Sequence, residues 1–225
     1  MKKIFFVAFI ITLGFISCKK EEVAPTPIPT PVTLASDFAP MTNGSYWIYE
    51  QFRKNAGESD FKATGKLDSV YVKGDTTFLG FPCKTIVSPY FKEKVNFCKR
   101  FDGDKLYSNN GVVFSTNNFS TPLTESVSYL DPTTKKDTNQ VVKLTMKKET
   151  ATDVPFGKFD TYVAEVYDFR GKNSNSQKIA WTNNYGTRYY AKGIGIIKEV
   201  VGSEDYSMPN PPYIIERRLV RYKIK

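Results

Sequence analysis

Apolar and polar positions alternate with a period of two through most of this chain. Val142, Leu144 and Met146 alternate with Lys143, Thr145 and Lys147, giving one dry face and one wet face on an extended strand. Aromatic and β-branched runs at residues 46–52, 67–72, 77–87, 95–101, 105–107 and 112–114 predict further strands. Similar runs follow at 161–169, 178–182, 187–192, 194–201 and 214–224. Turn chemistry punctuates them: Lys73-Gly74-Asp75-Thr76, Asp102-Gly103-Asp104 and Asn109-Asn110-Gly111, the last a hairpin signal. No stretch keeps a 3.6-residue period over ten residues. The pattern predicts an all-β domain of roughly ten or eleven mostly antiparallel strands, as a strongly curved sheet or half-open barrel. Looser stretches are expected at 115–139 and 202–212.

The N-terminus follows a different rule. Lys2 and Lys3 precede an apolar run from Ile4 to Ile16, which as a helix spans about 20 Å, short of a ~30 Å hydrocarbon core. That is a signal peptide, residues 1–17. Phe15-Ile16-Ser17-Cys18 resembles a bacterial lipobox, in which the cysteine becomes the lipidated first residue, so Cys18 is the expected lipidation site. Several acyl chains at about 0.8 kcal/mol per buried CH₂ would hold the protein on a membrane. Lys19-Lys20-Glu21-Glu22 behind it resembles the surface-export signal of Bacteroidetes lipoproteins. Pro25, Pro27, Pro29 and Pro31 occupy alternate positions, which favours an extended polyproline II stalk, with residues 19–36 reaching roughly 50 Å. The expected organisation is therefore a signal peptide (1–17), a lipidated cysteine with a Pro-rich linker (18–36), and one β-domain (37–225).

Composition narrows the chemistry. The chain of 225 residues contains no histidine, which removes the commonest general base and metal ligand. Its 32 Lys+Arg against 23 Asp+Glu give a formal charge of +9, and the signal peptide accounts for only two of those lysines. Arg217, Arg218, Arg221, Lys223 and Lys225 crowd the C-terminus, and Lys143, Lys147 and Lys148 form a second group. On a lipid-tethered protein such charge implies a solvated face, or attraction to anionic headgroups or acidic glycans, rather than nucleic acid. Cys83 and Cys98 are the only cysteines besides Cys18. A hairpin loop at residues 88–92 would set them directly opposite each other, as a disulfide in an oxidising compartment or as a buried thiol pair.

Four segments carry a family resemblance. They are Phe38-Ala39-Pro40-Met41-Thr42-Asn43-Gly44-Ser45-Tyr46-Trp47-Ile48-Tyr49, Val154-Pro155-Phe156-Gly157-Lys158-Phe159, Tyr189-Tyr190-Ala191-Lys192-Gly193-Ile194-Gly195-Ile196-Ile197-Lys198, and Leu219-Val220-Arg221-Tyr222. Together they resemble the TapB-like and DUF3108-like envelope lipoproteins of Bacteroidetes type. The resemblance implies a curved antiparallel sheet in the style of the lipoprotein carrier LolA, without its helices, and no catalytic residues. Read physically, Gly193 and Gly195 mark a sharp turn or a close backbone approach. Trp47 and Tyr49 share a face that anchors one end of the core, and Pro155 with Gly157 marks a turn.

Catalytic and cofactor motifs give nothing stronger. Gly193-x-Gly195-x-x-Lys198 lacks the third glycine and the βαβ context of a dinucleotide site, and residues 80–85 spoil a phosphate loop with Pro82 and Cys83. The expected function is a non-enzymatic, lipid-anchored binding or assembly module of the outer membrane, with no cofactor and no metal. Its expected partners are the membrane, through the anchor, and a glycan, lipid or envelope protein. The alternative is a carrier of an acyl chain in the concave face, which needs a continuous apolar cavity of a few hundred Å³.

Overall fold

A computed structural model describes residues 33–90, 93–109, 111–131, 133, 136–170, 186–202 and 213–225. The signal peptide, Cys18, the proline tract up to Val32, and the strand expected at 178–182 lie outside the described residues, as does most of the loose stretch at 202–212.

Twelve antiparallel strands form one nearly closed, barrel-like sheet, and no α-helix occurs among the described residues. In chain order the first six are β1 Tyr46–Asn55, β2 Lys62–Phe78, β3 Phe81–Tyr90, β4 Glu93–Asp102, β5 Lys105–Ser108 and β6 Gly111–Ser115. The second six are β7 Thr124–Asp131, β8 Lys136–Val154, β9 Gly157–Arg170, β10 Arg188–Ala191, β11 Gly195–Gly202 and β12 Tyr213–Lys223. Their spatial order is β6-β5-β4-β3-β2-β1-β12-β11-β10-β9-β8-β7. The chain thus starts mid-sheet, meanders to one edge, crosses from β6 to the opposite edge at β7, and meanders back. The β1–β12 ladder, from Tyr46↔Lys223 to Asn55↔Tyr213, sews the two halves together.

Curvature comes from bulges, which leave extra residues unpaired on one strand and bend it. Registers shift at Ile48/Tyr49, Glu50/Phe52, Val72/Gly74, Tyr189/Tyr190, Val200/Gly202 and Glu149/Thr152. Ala151, at φ 60°, sits in the last of these. The bend brings Phe114 of β6 within 4.3 Å (ring centroids) of Tyr190 of β10, so the two halves close on a shared core. Trp47, Tyr49, Val72, Ile86, Leu106, Leu144, Met146, Tyr190 and Leu219 line it.

A plug closes one end. Residues 33–45, with a single 3₁₀ turn at Ala35–Asp37, lie across the barrel mouth. Phe38 stacks on Tyr162 at 4.3 Å and lies 5.9 Å from Phe114. The Ala35 amide donates to the Gly103 carbonyl at 3.2 Å, and the Gly193 amide donates to the Asp37 carbonyl at 2.6 Å. The first described residues therefore enter the domain beside the β4–β5 and β10–β11 turns. The antiparallel register puts the β2–β3 and β8–β9 turns at that end too.

Several sequence expectations are corrected. Residues 73–76 do not turn: β2 runs through them, and Gly74 sits at a bulge. The turn is Leu79-Gly80, with φ 51° and 82° and Phe78 opposite Phe81. Glycine at a bulge and glycine in a turn look alike in sequence. The stretch at 115–139 was expected to be loose, yet it contains β7 and the start of β8. Those strands pair from Thr124↔Leu144 to Asp131↔Lys136, and β7 brings the sheet to twelve strands. Finally, β3 continues through Pro89, and Tyr90 pairs with Glu93. That two-residue connection moves the hairpin axis by one position, so Cys83 and Cys98 are diagonal neighbours rather than directly opposite.

Candidate functional site

The middle of the barrel is polar. Arg217 of β12 points inward with 4% of its surface exposed, and Glu199 of β11 has 6%. The Arg217 guanidinium binds the Glu199 carboxylate through Nη2 and Oε2. Arg188 of β10 donates from Nε to Glu199 Oε1 at 2.7 Å. The β10–β11 register sets Arg188 opposite Glu199, and the β11–β12 register sets Glu199 opposite Arg217. Three neighbouring strands thus supply a cation–anion–cation row, with both Glu199 oxygens occupied.

Arg217 reaches further. Its Nη1 donates to the Pro89 carbonyl at 3.1 Å, approaches Ser88 Oγ at 3.4 Å, and lies 3.7 Å from Asp68 Oδ2. Gln51 Nε2 holds both Asp68 oxygens at 3.0 and 2.9 Å. Tyr49 carries the Arg217 guanidinium 5.7 Å from its ring centre and donates its hydroxyl to the Ile196 carbonyl at 2.7 Å. Two buried atoms of this site, Arg217 Nε and the Tyr190 hydroxyl, have no hydrogen-bond partner among the described residues. Lys99 of β4 faces the same space and forms no hydrogen bond or ion pair with any described residue.

Titration follows from these surroundings. Burial by itself would raise the Glu199 carboxyl, but Arg217 and Arg188 outweigh it and hold it down at about 2. Burial pulls Lys99 down to about 8, and the cations Arg188 and Arg217 act in the same direction while Glu199 opposes. Burial also pushes Tyr190 up to about 12. Lys99, Arg188 and Arg217 therefore share one space with a single carboxylate, Glu199.

Lys99, Arg188, Arg217, Glu199 and Tyr190 line a cavity of about 90 Å³ with Val70, Ile86 and Phe97. A second chamber of about 50 Å³ lies toward the plug, walled by Met41, Trp47, Leu106 and Gly195. The two share Tyr49, Val70, Ile86, Lys99, Tyr190 and Ile196 in their walls. A third hollow, about 160 Å³, lies beside Cys83 and Cys98 under Phe78, Leu79 and Phe81.

Sequence reasoning grouped Arg217 with a solvated basic tail, but strand alternation turns Arg217 inward while Arg218 packs over Phe52 at 4.0 Å. Glu199, Arg188, Lys99 and Asp68 were missed outright. Nothing local marks them, because each contributes one charge from a different strand. The second basic group stays outside: Lys143 meets Glu125 at 3.0 Å, Lys147 meets Glu165 at 3.4 Å, and Lys148 covers Phe119 and Tyr162. Gly193 and Gly195 flank the β10–β11 turn. Cys83 and Cys98 are joined by a disulfide with Cα atoms 5.8 Å apart.

The end where the described chain enters the domain is different in character. Leu79 is 80% exposed, Phe81 54% and Phe156 45%. Leu79 adopts the left-handed backbone region, at about 1–2 kcal/mol for a residue with a Cβ. Exposed Lys192, Arg221, Lys223 and Lys225 lie near the same rim.

No family model and no curated protein matches this chain. Two solved structures are similar to it, each with a TM-score of 0.38 and 14% identity. One is a protein assigned as exported, with a YmcC-like fold, from Bacteroides fragilis NCTC 9343, covering 83% of this chain and 98% of that one. The other is a protein assigned as a lipoprotein from Parabacteroides distasonis ATCC 8503, covering 86% of this chain and 100% of that one.

Proposed function

We propose that the protein is a non-enzymatic, lipid-anchored module of the bacterial outer membrane, held through Cys18 and resting its tethered end on the bilayer. One observation carries this reading: Leu79, Phe81 and Phe156 are exposed at the end where the chain enters the domain. A stalk leaving from that end keeps those side chains within reach of the surface that holds the lipid. Apolar side chains ringed by lysine and arginine suit an anionic interface, where each basic residue contributes about 1 kcal/mol. Placing leucine where a hairpin turn favours Asn, Asp or Gly sacrifices stability for exposure, which fits a contact residue.

The carrier reading draws less support. An acyl chain calls for a few hundred Å³, whereas the two interior chambers hold about 90 and 50 Å³. Glu199, the acid in the cavity wall, is committed to two arginines rather than poised for proton transfer.

Two measurements test the proposal. Metabolic labelling with palmitate should mark the wild-type chain and leave Cys18→Ala unlabelled and released from membranes; a membrane-bound Cys18→Ala protein would contradict the anchor. The unacylated chain from Lys19 onward should co-sediment with vesicles of phosphatidylethanolamine and phosphatidylglycerol. A Leu79→Ser/Phe81→Ser variant should bind them several-fold more weakly, and equal sedimentation of the two proteins would remove the docking surface.

A further inference from the structure

The barrel interior contains donors in excess. Among the described residues Lys99 has no ion-pair or hydrogen-bond partner, and Arg217 Nε and the Tyr190 hydroxyl are buried without one. All three residues line the same 90 Å³ cavity. Lysine and arginine nitrogens can only donate. The acceptors nearby are already engaged: Glu199 by two arginines, Asp68 by Gln51 and Arg217, and the Ile196 carbonyl by Tyr49. What the cavity lacks is an acceptor carrying negative charge.

Its shape restricts that acceptor further. The polar chamber borders an apolar one walled by Met41, Trp47, Val70, Ile86 and Leu106, and Lys99 stands in the wall of both. A bare inorganic anion would leave the apolar chamber unused, and a long acyl chain exceeds the space. A molecule with one anionic group and a few carbons matches both chambers. Lys99 is half-buried with its side chain in the cavity wall, and a cation set among apolar walls without an acceptor is costly.

From this we infer that the barrel interior binds a small monocarboxylate, its carboxylate held by Lys99, Arg217 Nε and the Tyr190 hydroxyl and its short apolar tail lying against Met41, Trp47 and Leu106. The inference rests on the interior alone and stands whether or not the tethered end meets a bilayer.

The probe is sodium butyrate, with n-butylamine and n-butanol as isosteres of opposite and zero charge. Titration of the isotope-labelled unacylated chain, followed by amide chemical shifts, should give saturable changes at Lys99, Tyr190 and Arg217 with butyrate and none with n-butylamine. Butanol should bind at least tenfold more weakly than butyrate. Lys99→Met keeps the fold, because it removes an unpaired charge, and should weaken butyrate at least tenfold; Tyr190→Phe should weaken it several-fold. Butyrate binding that is unchanged in Lys99→Met, or no saturable change in folded wild-type protein, would overturn the inference.

Discussion

Trp47 of β1 and Gly195 of β11 lie against each other over the intervening β12, far apart in sequence. The indole Nε1 donates to the Ile194 carbonyl at 2.6 Å, and a Cβ added to Gly195 would stand 3.4 Å from that nitrogen. The Gly193-x-Gly195 pair is therefore a turn that keeps a flat approach open for tryptophan, and it closes the apolar chamber beneath the plug.

Gly195 also has φ +108°, so Gly195→Ala combines backbone strain with displacement of the indole. It should cost about 1–3 kcal/mol. Trp47→Phe should cost a similar amount by leaving the Ile194 carbonyl unpaired. Since both changes disturb one contact, urea unfolding of the double variant should show less than the sum of the two losses.

Glu199 makes stability depend on acid. Its folded pKa, about 2, lies below the ordinary carboxylate value of 4.5, so the unfolded chain binds more protons between those values. Its contribution is therefore present above pH 4.5 and is lost as pH falls toward 2. Glu199→Gln should flatten that part of the curve. At neutral pH it should cost about 3–5 kcal/mol, because Arg217 and Arg188 remain buried without their anion. Denaturation midpoints from pH 2 to 7 measure both effects.

Lys99 acts in the opposite sense. Its folded pKa of about 8 is below the ordinary lysine value of 10.5, so between them the unfolded state holds more protons and stability rises with pH. The charged groups facing it are Arg188, Arg217 and Glu199, with Tyr49 and Tyr190 in the same wall. Both phenols titrate above their usual value through burial, so above pH 10 they favour the unfolded state and oppose the trend. From pH 8 to 10, ligand-free wild-type protein should gain stability while Lys99→Met stays level. At pH 7 the variant should melt higher than wild type, and a lower melting temperature would show that the lysine is internally compensated.

The Cys83–Cys98 bridge closes a loop with a sequence separation of 15. A chain-entropy account assigns such a loop about 3 kcal/mol. Reduction, or replacement of both residues by serine, should lower the melting temperature by several degrees without changing the far-ultraviolet circular dichroism.

Leu79 is strained and exposed, so Leu79→Asn should leave stability unchanged or raise it by up to about 1 kcal/mol, measured by urea denaturation.

Much of the architecture was readable before any coordinates. Period-two alternation at residues 142–147 fixed β8 and its inward face, since side-chain direction along a strand is a local property. Asp102-Gly103-Asp104 and the Pro155–Gly157 stretch marked real turns for the same reason. Bulges were not readable: Gly74 bends a strand that pairs on both sides, and only its neighbours distinguish that from a hairpin turn. The interior charges belong with the bulges. Arg217 looks like any residue of a basic tail, and Lys99, Arg188, Glu199 and Asp68 are lone charges on separate strands. Their meeting depends on ladder registers and on the curl that brings β4 to face β10, β11 and β12. Local chemistry sets strands and turns because it acts over a few bonds, whereas the polar cavity arises from pairings between distant segments that only the closed sheet brings together.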